Sequence, residues 1–228
     1  MILLDANENP FDSLVNRYPD PKQRELKKEI ATWKGVDENQ IYLCNGSDEF
    51  ISNVINGCCE PGKDSIMIVP PTFGMYKVSA KTYGVGIQEV PLTSSFQLDV
   101  DSILEIADEN SKIIFLPTPN NPTANNFDLD AVEQLIHGFP GLVVVDEAYA
   151  EFSSNPSVIP WLAKYPNLMV CQTFSKAQGM AGARLGMAFA HSDFISFFNR
   201  IKAPYNINSL TINAVQKRLK DQDKVKQE

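Results

Sequence analysis

The stretch from Gln172 to Gly186, QTFSKAQGMAGARLG, carries the side chains of this chain that are best suited to covalent chemistry. The hydroxyls of Thr173 and Ser175 and the guanidinium of Arg184 can converge on a phosphate, which arginine binds in a bidentate manner. A lysine beside that phosphate, here Lys176, can form a Schiff base if desolvation favours its neutral amine. The small residues of the loop let the backbone approach a bulky ligand closely. On this stretch alone, a solvated loop with one lysine and one arginine is an equally good interpretation.

Four more side chains that could act on the same ligand each follow a predicted strand. A planar, phosphorylated pyridine aldehyde needs a carboxylate at its ring nitrogen, so that the ring can take up electrons from a carbanion, and Asp146 suits that position. Asn121 and Tyr149 are candidate donors to the ring oxygen, and Phe73 is the candidate aromatic that stacks on the ring. The alternatives are a structural cap for Asp146, a turn residue for Asn121 and a core aromatic for Phe73.

A second candidate anion site lies at a predicted helix start. Asn45-Gly46-Ser47-Asp48-Glu49 follows a short strand, and a glycine followed by serine and two acidic residues is typical of a helix N-terminus with free N–H groups. Such an N-terminus can bind a phosphate, and the N–H groups of Gly46 and Ser47, with Asp48 beside them, complete the predicted phosphate cup. Taken alone, this segment is better explained by simple helix capping.

The elements that must position these residues alternate between strand and helix. We predict strands at 41–44, 65–69, 86–91, 112–117, 142–145, 168–174 and 185–190. We predict helices at 20–33, 46–59, 73–83, 101–110, 128–137, 156–163 and 193–202, and again from 209 onward, with Asp20 and Asp101 as caps. Apolar strands such as 142–145 are typical of a mainly parallel sheet sandwiched by helices. In such a sheet, ligands bind beyond the carboxyl ends of the strands, where the candidate residues fall.

Composition narrows the class of protein. The 228 residues can form one sizeable domain, or one domain and part of another. The net charge of −8 argues against nucleic acid or an anionic membrane as the main partner. There is neither a bilayer-length apolar run nor an N-terminal leader, so we expect a cytoplasmic protein. The four cysteines and two histidines fit no metal-ligand spacing, so we expect no metal site.

Taken together, these motifs resemble a known family. The sets Asn-Asn-Pro-Thr at 120–123, Asp-Glu-Ala-Tyr at 146–149 and Ser-Lys-Ala with Gly-x-Ala-Gly-x-Arg-x-Gly at 175–186 resemble fold-type I aminotransferases that use pyridoxal phosphate. The chain is most similar to the histidinol-phosphate aminotransferases, on the segments 5–10, 17–21, 45–49, 70–76 and 203–205. The likeness covers almost the whole chain, and the combined set of motifs is highly specific.

The resemblance implies a fold and an assembly. It implies an N-terminal arm at 1–20, a large cofactor-binding domain at 21–205, and at 206–228 the start of a helix that leads to a small C-terminal domain. It also implies that Tyr18 reaches the cofactor phosphate of the neighbouring subunit, in a homodimer with shared active sites. A surface turn residue is the alternative for Tyr18.

The resemblance also implies an activity. Lys176 would exchange protons during transfer of an amino group between L-histidinol phosphate and 2-oxoglutarate, giving imidazole-acetol phosphate and L-glutamate in histidine biosynthesis. Asp146 and Tyr149 would assist at the cofactor ring. The alternatives are aromatic amino acid transamination, threonine-phosphate decarboxylation, or a non-catalytic chain that only binds the cofactor or dimerises.

Three departures from the family pattern bear on these implications. Ala124 stands where the family usually has glycine, which costs on the order of 1 kcal/mol if the position requires a positive φ. Phe73 replaces the usual tyrosine and so lacks a hydroxyl. The sequence ends at Glu228, before the small domain whose arginines bind the substrate in this family.

Overall fold

A computed structural model describes residues 6–227 of the chain, so Asp5 of the 5–10 segment and Glu228 lie outside the described residues. A sheet of seven strands runs through this part of the chain in the order β1-β7-β6-β5-β4-β2-β3. The strands are β1 Ile41–Cys44, β2 Ser65–Ile68, β3 Gly86–Glu89, β4 Ser111–Pro117, β5 Leu142–Asp146, β6 Leu168–Thr173 and β7 Gly186–Ala190. Among them, β7 alone runs antiparallel to its neighbours, so the prediction of a mainly parallel sheet is confirmed.

Helices cover both faces of the sheet. Within the described residues they are α1 Arg24–Lys34, α2 Gly46–Cys58, α3 Met75–Thr82, α4 Val100–Ile106, α5 Leu129–Gly138, α6 Ser192–Ile201, α7 Ser209–Leu219 and α8 Gln222–Gln227. Short 3-10 turns occupy Glu38–Gln40, Ala150–Phe152, Ile159–Ala163 and Ala181–Ala183.

Two hydrophobic clusters, one on each side of the sheet, hold these layers together. Val143 and Val145 of β5 belong to the cluster that includes residues of α1, α5 and α7, whereas Val144 belongs to the cluster formed with α2, α3 and α6. Full burial of each such side chain stabilises the fold by roughly 1.5–3 kcal/mol. Because β5 is buried on both faces, its sequence is an unbroken apolar run and does not alternate between apolar and polar residues.

Two helix starts differ from the sequence prediction. Helix α1 begins at Arg24 rather than at the Asp20-Pro21 pair, because Gln23 before it adopts a left-handed conformation with φ 48°. Asp20 caps a turn instead, and its carboxylate accepts hydrogen bonds from the N–H groups of Lys22 and Arg24 at 3.1 and 2.9 Å. Helix α4 is capped by Asp99, which accepts from the Ser102 N–H at 3.1 Å, and not by Asp101.

Helix α7 is attached to the rest of the fold by a side-chain hydrogen bond. The Thr211 hydroxyl of α7 donates to the Ala183 carbonyl at 2.8 Å, which ties this helix to the loop before β7. A break at Lys220 separates α7 from α8, where the sequence predicted one continuous helical run. The division into an arm, a large domain and a lead-in helix stays a prediction.

None of the helices between residues 6 and 227 is long and apolar enough to cross a membrane.

Candidate active site

The predicted site residues come together at the carboxyl edge of the sheet. The loops after β1, β2, β4, β5 and β6 all leave the sheet at this edge, and β7 begins there because it runs in the opposite direction. One pocket is lined by ten of the predicted residues, namely Ser47, Asp48, Phe73, Asn121, Asp146, Tyr149, Thr173, Ser175, Lys176 and Arg184. Four residues without a predicted role also line it: Tyr76, Pro117, Pro119 and Ala148.

The anion end of the pocket is built around the first turn of α2. Gly46 has φ +75°, and a Cβ at this position would lie 2.5 Å from Nη2 of Arg184. Gly186, at the start of β7, is needed for the same close packing, since a Cβ at this position would lie 2.5 Å from the carbonyl carbon of Gly46. The two glycines therefore let the guanidinium and the start of β7 pack directly against the helix N-terminus. The sequence motif contained Gly186, but its role depends on this contact across the sheet.

The N–H groups of this helix start are available to a ligand. Within the described residues, Asn45 makes no side-chain cap to α2, and its side-chain amide donates instead to the Asn206 carbonyl at 2.8 Å. The first N–H groups of a helix have no intrahelical acceptor, and together with the helix dipole they favour an anion. The α2 N-terminus therefore offers donors that suit an anion, and its role in anion binding stays a prediction.

Arg184 reaches this end of the pocket from a strained backbone. It adopts a left-handed conformation with φ 53°, which is uncommon for a residue other than glycine and concentrates at functional sites. Its guanidinium lies 3.5 Å from the Asp48 carboxylate and 3.5 Å from the Ser175 hydroxyl. Contacts of this length are weak, so the guanidinium keeps most of its hydrogen-bonding capacity for a ligand.

Thr173 supports the lysine loop from within. Its hydroxyl accepts from the Ser175 N–H at 3.1 Å and lies 3.1 Å from the Ser175 hydroxyl and 3.3 Å from the Leu185 carbonyl. These contacts fix the turn between β6 and Lys176. Thr173 thereby orients Ser175 as well as lining the pocket.

Asp146 also lines the pocket. Its side chain lies at the end of β5 and is buried, with 5% of the residue exposed. Its carboxylate accepts hydrogen bonds from the Tyr76 hydroxyl at 2.7 Å and from the Ala148 N–H at 3.0 Å. Burial raises the pKa of this carboxyl, and the two hydrogen bonds oppose that rise. A carboxylate held in this way can accept a hydrogen bond from a protonated ring nitrogen.

Tyr76 is a residue of the site that the sequence reasoning missed. It is fully buried, stacks on Phe115 with ring centroids 4.5 Å apart, and meets Phe73 edge-on at 5.6 Å. Burial, followed by the charge of Asp146, raises the pKa of its phenol well above the usual value, so the phenol keeps its proton and donates a hydrogen bond to the carboxylate. A tyrosine three residues after Phe73 on the same predicted helix was the available signal.

Lys176 differs in one respect from the expectation. Its Nζ lies 5.2 Å from the centroid of the Tyr149 ring, which brings the predicted amine and the predicted ring-oxygen donor together. The lysine side chain is exposed, so the desolvation that we expected around its amine is not supplied by residues 6–227. The cation–π contact with Tyr149 is the interaction that orients the amine.

The loop that presents Asn121 is held by its neighbour Asn120. Asn120 is buried, and its side-chain amide donates to the Pro71 carbonyl at 2.9 Å and to the Thr123 hydroxyl at 2.6 Å. These bonds fasten the Asn121 loop to the loop that carries Phe73. Ala124 closes the turn with φ 60°, so the position that the family usually gives to glycine does require a left-handed backbone.

Tyr18 lies apart from the pocket of its own chain. Its ring stacks on Tyr205 with centroids 4.4 Å apart, and 57% of the residue is exposed. Its N–H donates to the Glu8 carboxylate at 2.6 Å, and the same carboxylate forms an ion pair with Arg17 at 2.8 Å. The arm thus presents an exposed aromatic surface whose role in a second subunit's site stays a prediction.

A metal centre is not among the features of the described part of the chain. Between residues 6 and 227, no group of three or more His, Cys, Asp and Glu side chains could hold a metal ion. The four cysteines are free thiols there, and burial raises the pKa of each of them. The pocket is suited instead to an organic group with an anion at one end and a basic nitrogen at the other.

The amino-acid sequence matches a known family model and several curated proteins. The family model described as aminotransferase class I and II matches residues 5–228. Histidinol-phosphate aminotransferase of Flavobacterium johnsoniae is 51% identical over 228 residues, which are all of this chain and 65% of that protein. The same-named protein of Parabacteroides distasonis is 48% identical over 99% of this chain and 65% of its own length. The chain thus spans just under two thirds of the length of these curated relatives.

Structure comparison gives the same fold. The histidinol-phosphate aminotransferase of Sinorhizobium meliloti, solved in complex with pyridoxal-5'-phosphate, superposes with a TM-score of 0.85 at 25% identity, covering 92% of this chain and 58% of that one. L-Threonine-O-3-phosphate decarboxylase of Porphyromonas gingivalis superposes with a TM-score of 0.78 at 23% identity, covering 91% and 64%. The second likeness concerns the fold alone.

Proposed function

The chain belongs to the class I and II aminotransferases, and on that premise we propose that it binds pyridoxal phosphate and transfers amino groups. The proposed reaction interconverts L-histidinol phosphate and 2-oxoglutarate with imidazole-acetol phosphate and L-glutamate, in histidine biosynthesis. The observation that carries the proposal is that one pocket is lined by Lys176, by the phosphate-binding candidates Ser175 and Arg184, and by the buried carboxylate of Asp146. The names of relatives near 50% identity support the choice of substrates.

The residues of the pocket fit this cofactor. The α2 N–H groups at Gly46, Ser47 and Asp48, with Ser175 and Arg184, offer donors to a phosphate, and Gly46 leaves space that a Cβ would fill. At the other end, Asp146 would receive the ring N–H. Between the two ends, the groups that would hold the ring face and the ring oxygen are Phe73, Asn121 and Tyr149.

Each residue of the pocket would have a separate role in the proposed reaction. When bound, the cofactor supplies a protonated ring that takes up the electron pair released at the substrate carbon. Asp146 holds the proton on the ring nitrogen, and the Tyr76 hydroxyl keeps that carboxylate oriented. Lys176 would hold the cofactor through its amine and would move a proton at the substrate carbon. The hydrogen-bonded loops of Thr173 and Asn120 keep these groups in place.

Assembly and location are part of the same proposal. Tyr18, on an arm with the exposed apolar side chains Phe11 and Leu14, would complete the phosphate cup of a second subunit in a homodimer. The exposure of Tyr18 and its distance from the pocket of its own chain support this role. Cytoplasmic location stays a prediction. A chain that only binds the cofactor is less well supported, because Lys176, Asp146 and Arg184 line one pocket.

The decisive experiment is a visible spectrum of the purified chain with pyridoxal phosphate, before and after addition of glutamate. We expect an absorption band of the lysine-bound cofactor that disappears with glutamate and returns with imidazole-acetol phosphate. Lys176→Ala removes the band, whereas Lys164→Ala, at an exposed lysine outside the pocket, leaves it unchanged. A band that forms but ignores glutamate would support the cofactor and contradict transamination by this chain. The same spectrum from wild type and Lys176→Ala would rule out the cofactor role of Lys176.

A further inference from the structure

A second cationic groove lies between α1 and α6, away from the proposed cofactor pocket. Five of its lining residues are basic and one is acidic: Lys22, Arg24, Lys27, Arg200, Lys202 and Glu38. Its volume is about 810 Å³, which lies in the range of small-molecule sites. In a chain of net charge −8, this concentration of positive charge on one concave surface is a local exception.

Lys27 is the unusual member of the groove. The residue is 7% exposed, yet among residues 6–227 its ammonium group makes no hydrogen bond or ion pair. Burying a charge without a partner is costly, so a buried lysine is normally paired. Burial, reinforced by the nearby charge of Lys202, lowers the pKa of Lys27 to about 8. The stem of Lys27 is therefore buried at the base of the groove, while its ammonium group keeps some accessible surface through which it can meet a ligand.

The other groups of the groove leave that cation without compensation. Lys202 donates to the Pro21 carbonyl at 3.0 Å and to the Asn206 side-chain oxygen at 2.9 Å, both of which are neutral. Arg24 pairs with Asp20 at 3.5 Å on the exposed side of the turn. The charges of Asp20 and Glu38 raise the pKa of Lys27 without contacting its amine, and they are outnumbered by the four other basic residues of the groove.

We propose that this groove is a second anion-binding site, with Lys27 at its centre, and that it takes a small phosphorylated molecule. A phosphate offers several acceptor oxygens and two negative charges, which match an unpaired ammonium flanked by further cations. Polar side chains of α6, Ser192, Ser196 and Asn199, line the same groove and can bind the remainder of such a molecule. The proposal does not depend on the activity proposed above, since it uses none of the residues of the cofactor pocket.

Titration calorimetry with inorganic phosphate tests this site. The chain is first loaded with pyridoxal phosphate, and the excess is removed by desalting, so that the cofactor fills only the other anion cup. In the blank titration, chloride of equal ionic strength replaces the phosphate. If the cofactor does not bind, the same titration in an Arg184→Gln background separates the two cups. We expect saturable binding of one phosphate to wild type and binding at least about tenfold weaker in Lys27→Met, equivalent to about 1.4 kcal/mol.

Two further variants keep the result interpretable. Lys28→Met removes the same charge from the adjacent exposed position of α1 and should retain wild-type affinity within about twofold, because an exposed charge outside the groove interacts weakly. Arg200→Gln changes an exposed groove residue, so it tests the site even if Lys27→Met does not fold. Equal affinities in Lys27→Met, Arg200→Gln and Lys28→Met, or no saturable binding to wild type, would overturn the proposal.

Discussion

Tyr76 shows how much of the site depends on a single hydroxyl. Its bond to Asp146 opposes the effect of burial, which raises the pKa of that carboxyl. Tyr76→Phe removes the bond, so we expect the Asp146 pKa to rise further and the carboxyl to be protonated at a higher pH. A neutral carboxyl no longer stabilises the ring proton, and the pH titration of the bound cofactor's visible absorption should then move to lower pH.

A matched tyrosine controls for loss of a buried hydroxyl. Tyr42 is fully buried as well, but its hydroxyl accepts from the Asn53 side chain at 2.8 Å and not from the site. Tyr42→Phe should lower stability by about 1 kcal/mol, the value of a typical hydrogen bond, and leave the absorption titration unchanged. If both variants shift the titration equally, Tyr76 has a structural role and does not position Asp146.

Gly46 allows a second test in which strain and steric contact are separated. At φ +75°, Gly46→Ala costs about 1–2 kcal/mol of backbone strain, and its Cβ would also displace the Arg184 guanidinium. Gly62 has φ +73°, but none of the described atoms lies within 4 Å of the Cβ that alanine would add. We expect both variants to be destabilised in urea unfolding. Cofactor affinity should fall by at least about tenfold in Gly46→Ala alone. Equal cofactor affinities would show that the Gly46 contact is not needed for binding.

At the scale of elements, the turn from Asn120 to Ala124 carries a strain that can be removed. Ala124 adopts φ 60°, and glycine there avoids about 1–2 kcal/mol of strain while losing about 0.4–1 kcal/mol through the greater entropy of the unfolded chain. Ala124→Gly should therefore stabilise the chain by up to about 1.6 kcal/mol, measured as a higher urea midpoint. Ala131→Gly, within α5, should destabilise it by about 1 kcal/mol. A lower midpoint for Ala124→Gly would contradict this account of the turn.

The elements also show which features a sequence can specify. Apolar strands followed by polar residues predicted the sheet and the edge where Asp146, Asn121 and Lys176 meet, because parallel strands share their carboxyl edge. The start of α1 was wrong because the left-handed conformation of Gln23 gives no compositional signal. The Tyr76 contact was missed because it joins residues 70 positions apart in sequence, and only the folded chain brings the Tyr76 side chain of α3 to the end of β5.

At the scale of the whole molecule, the proposed sharing of sites between subunits makes a prediction about mixtures. Lys176→Ala lacks the amine, and Tyr18→Ala lacks the proposed phosphate contact to the partner, so each homodimer should bind the cofactor poorly. In a mixed dimer, one site combines an intact Lys176 with an intact Tyr18 from the other subunit, and the second site lacks both. Random exchange of subunits in equal amounts makes half of the dimers mixed. The cofactor absorption should therefore recover to about a quarter of the wild-type value.

The unmixed variants and the exchange itself provide the controls for this experiment. Absorption should rise with the time of subunit exchange, because the restored site exists only in mixed dimers. As a control, Phe11→Ala takes the place of Tyr18→Ala and changes another exposed aromatic of the arm. Because Phe11 makes no proposed phosphate contact, the Phe11→Ala homodimer should bind the cofactor before mixing. If the cofactor absorption of the mixture of Tyr18→Ala and Lys176→Ala never exceeds the average of the two separate samples, each chain forms its site alone. The exposed stacking of Tyr18 on Tyr205 would then be a surface contact of the arm and not a part of the catalytic assembly.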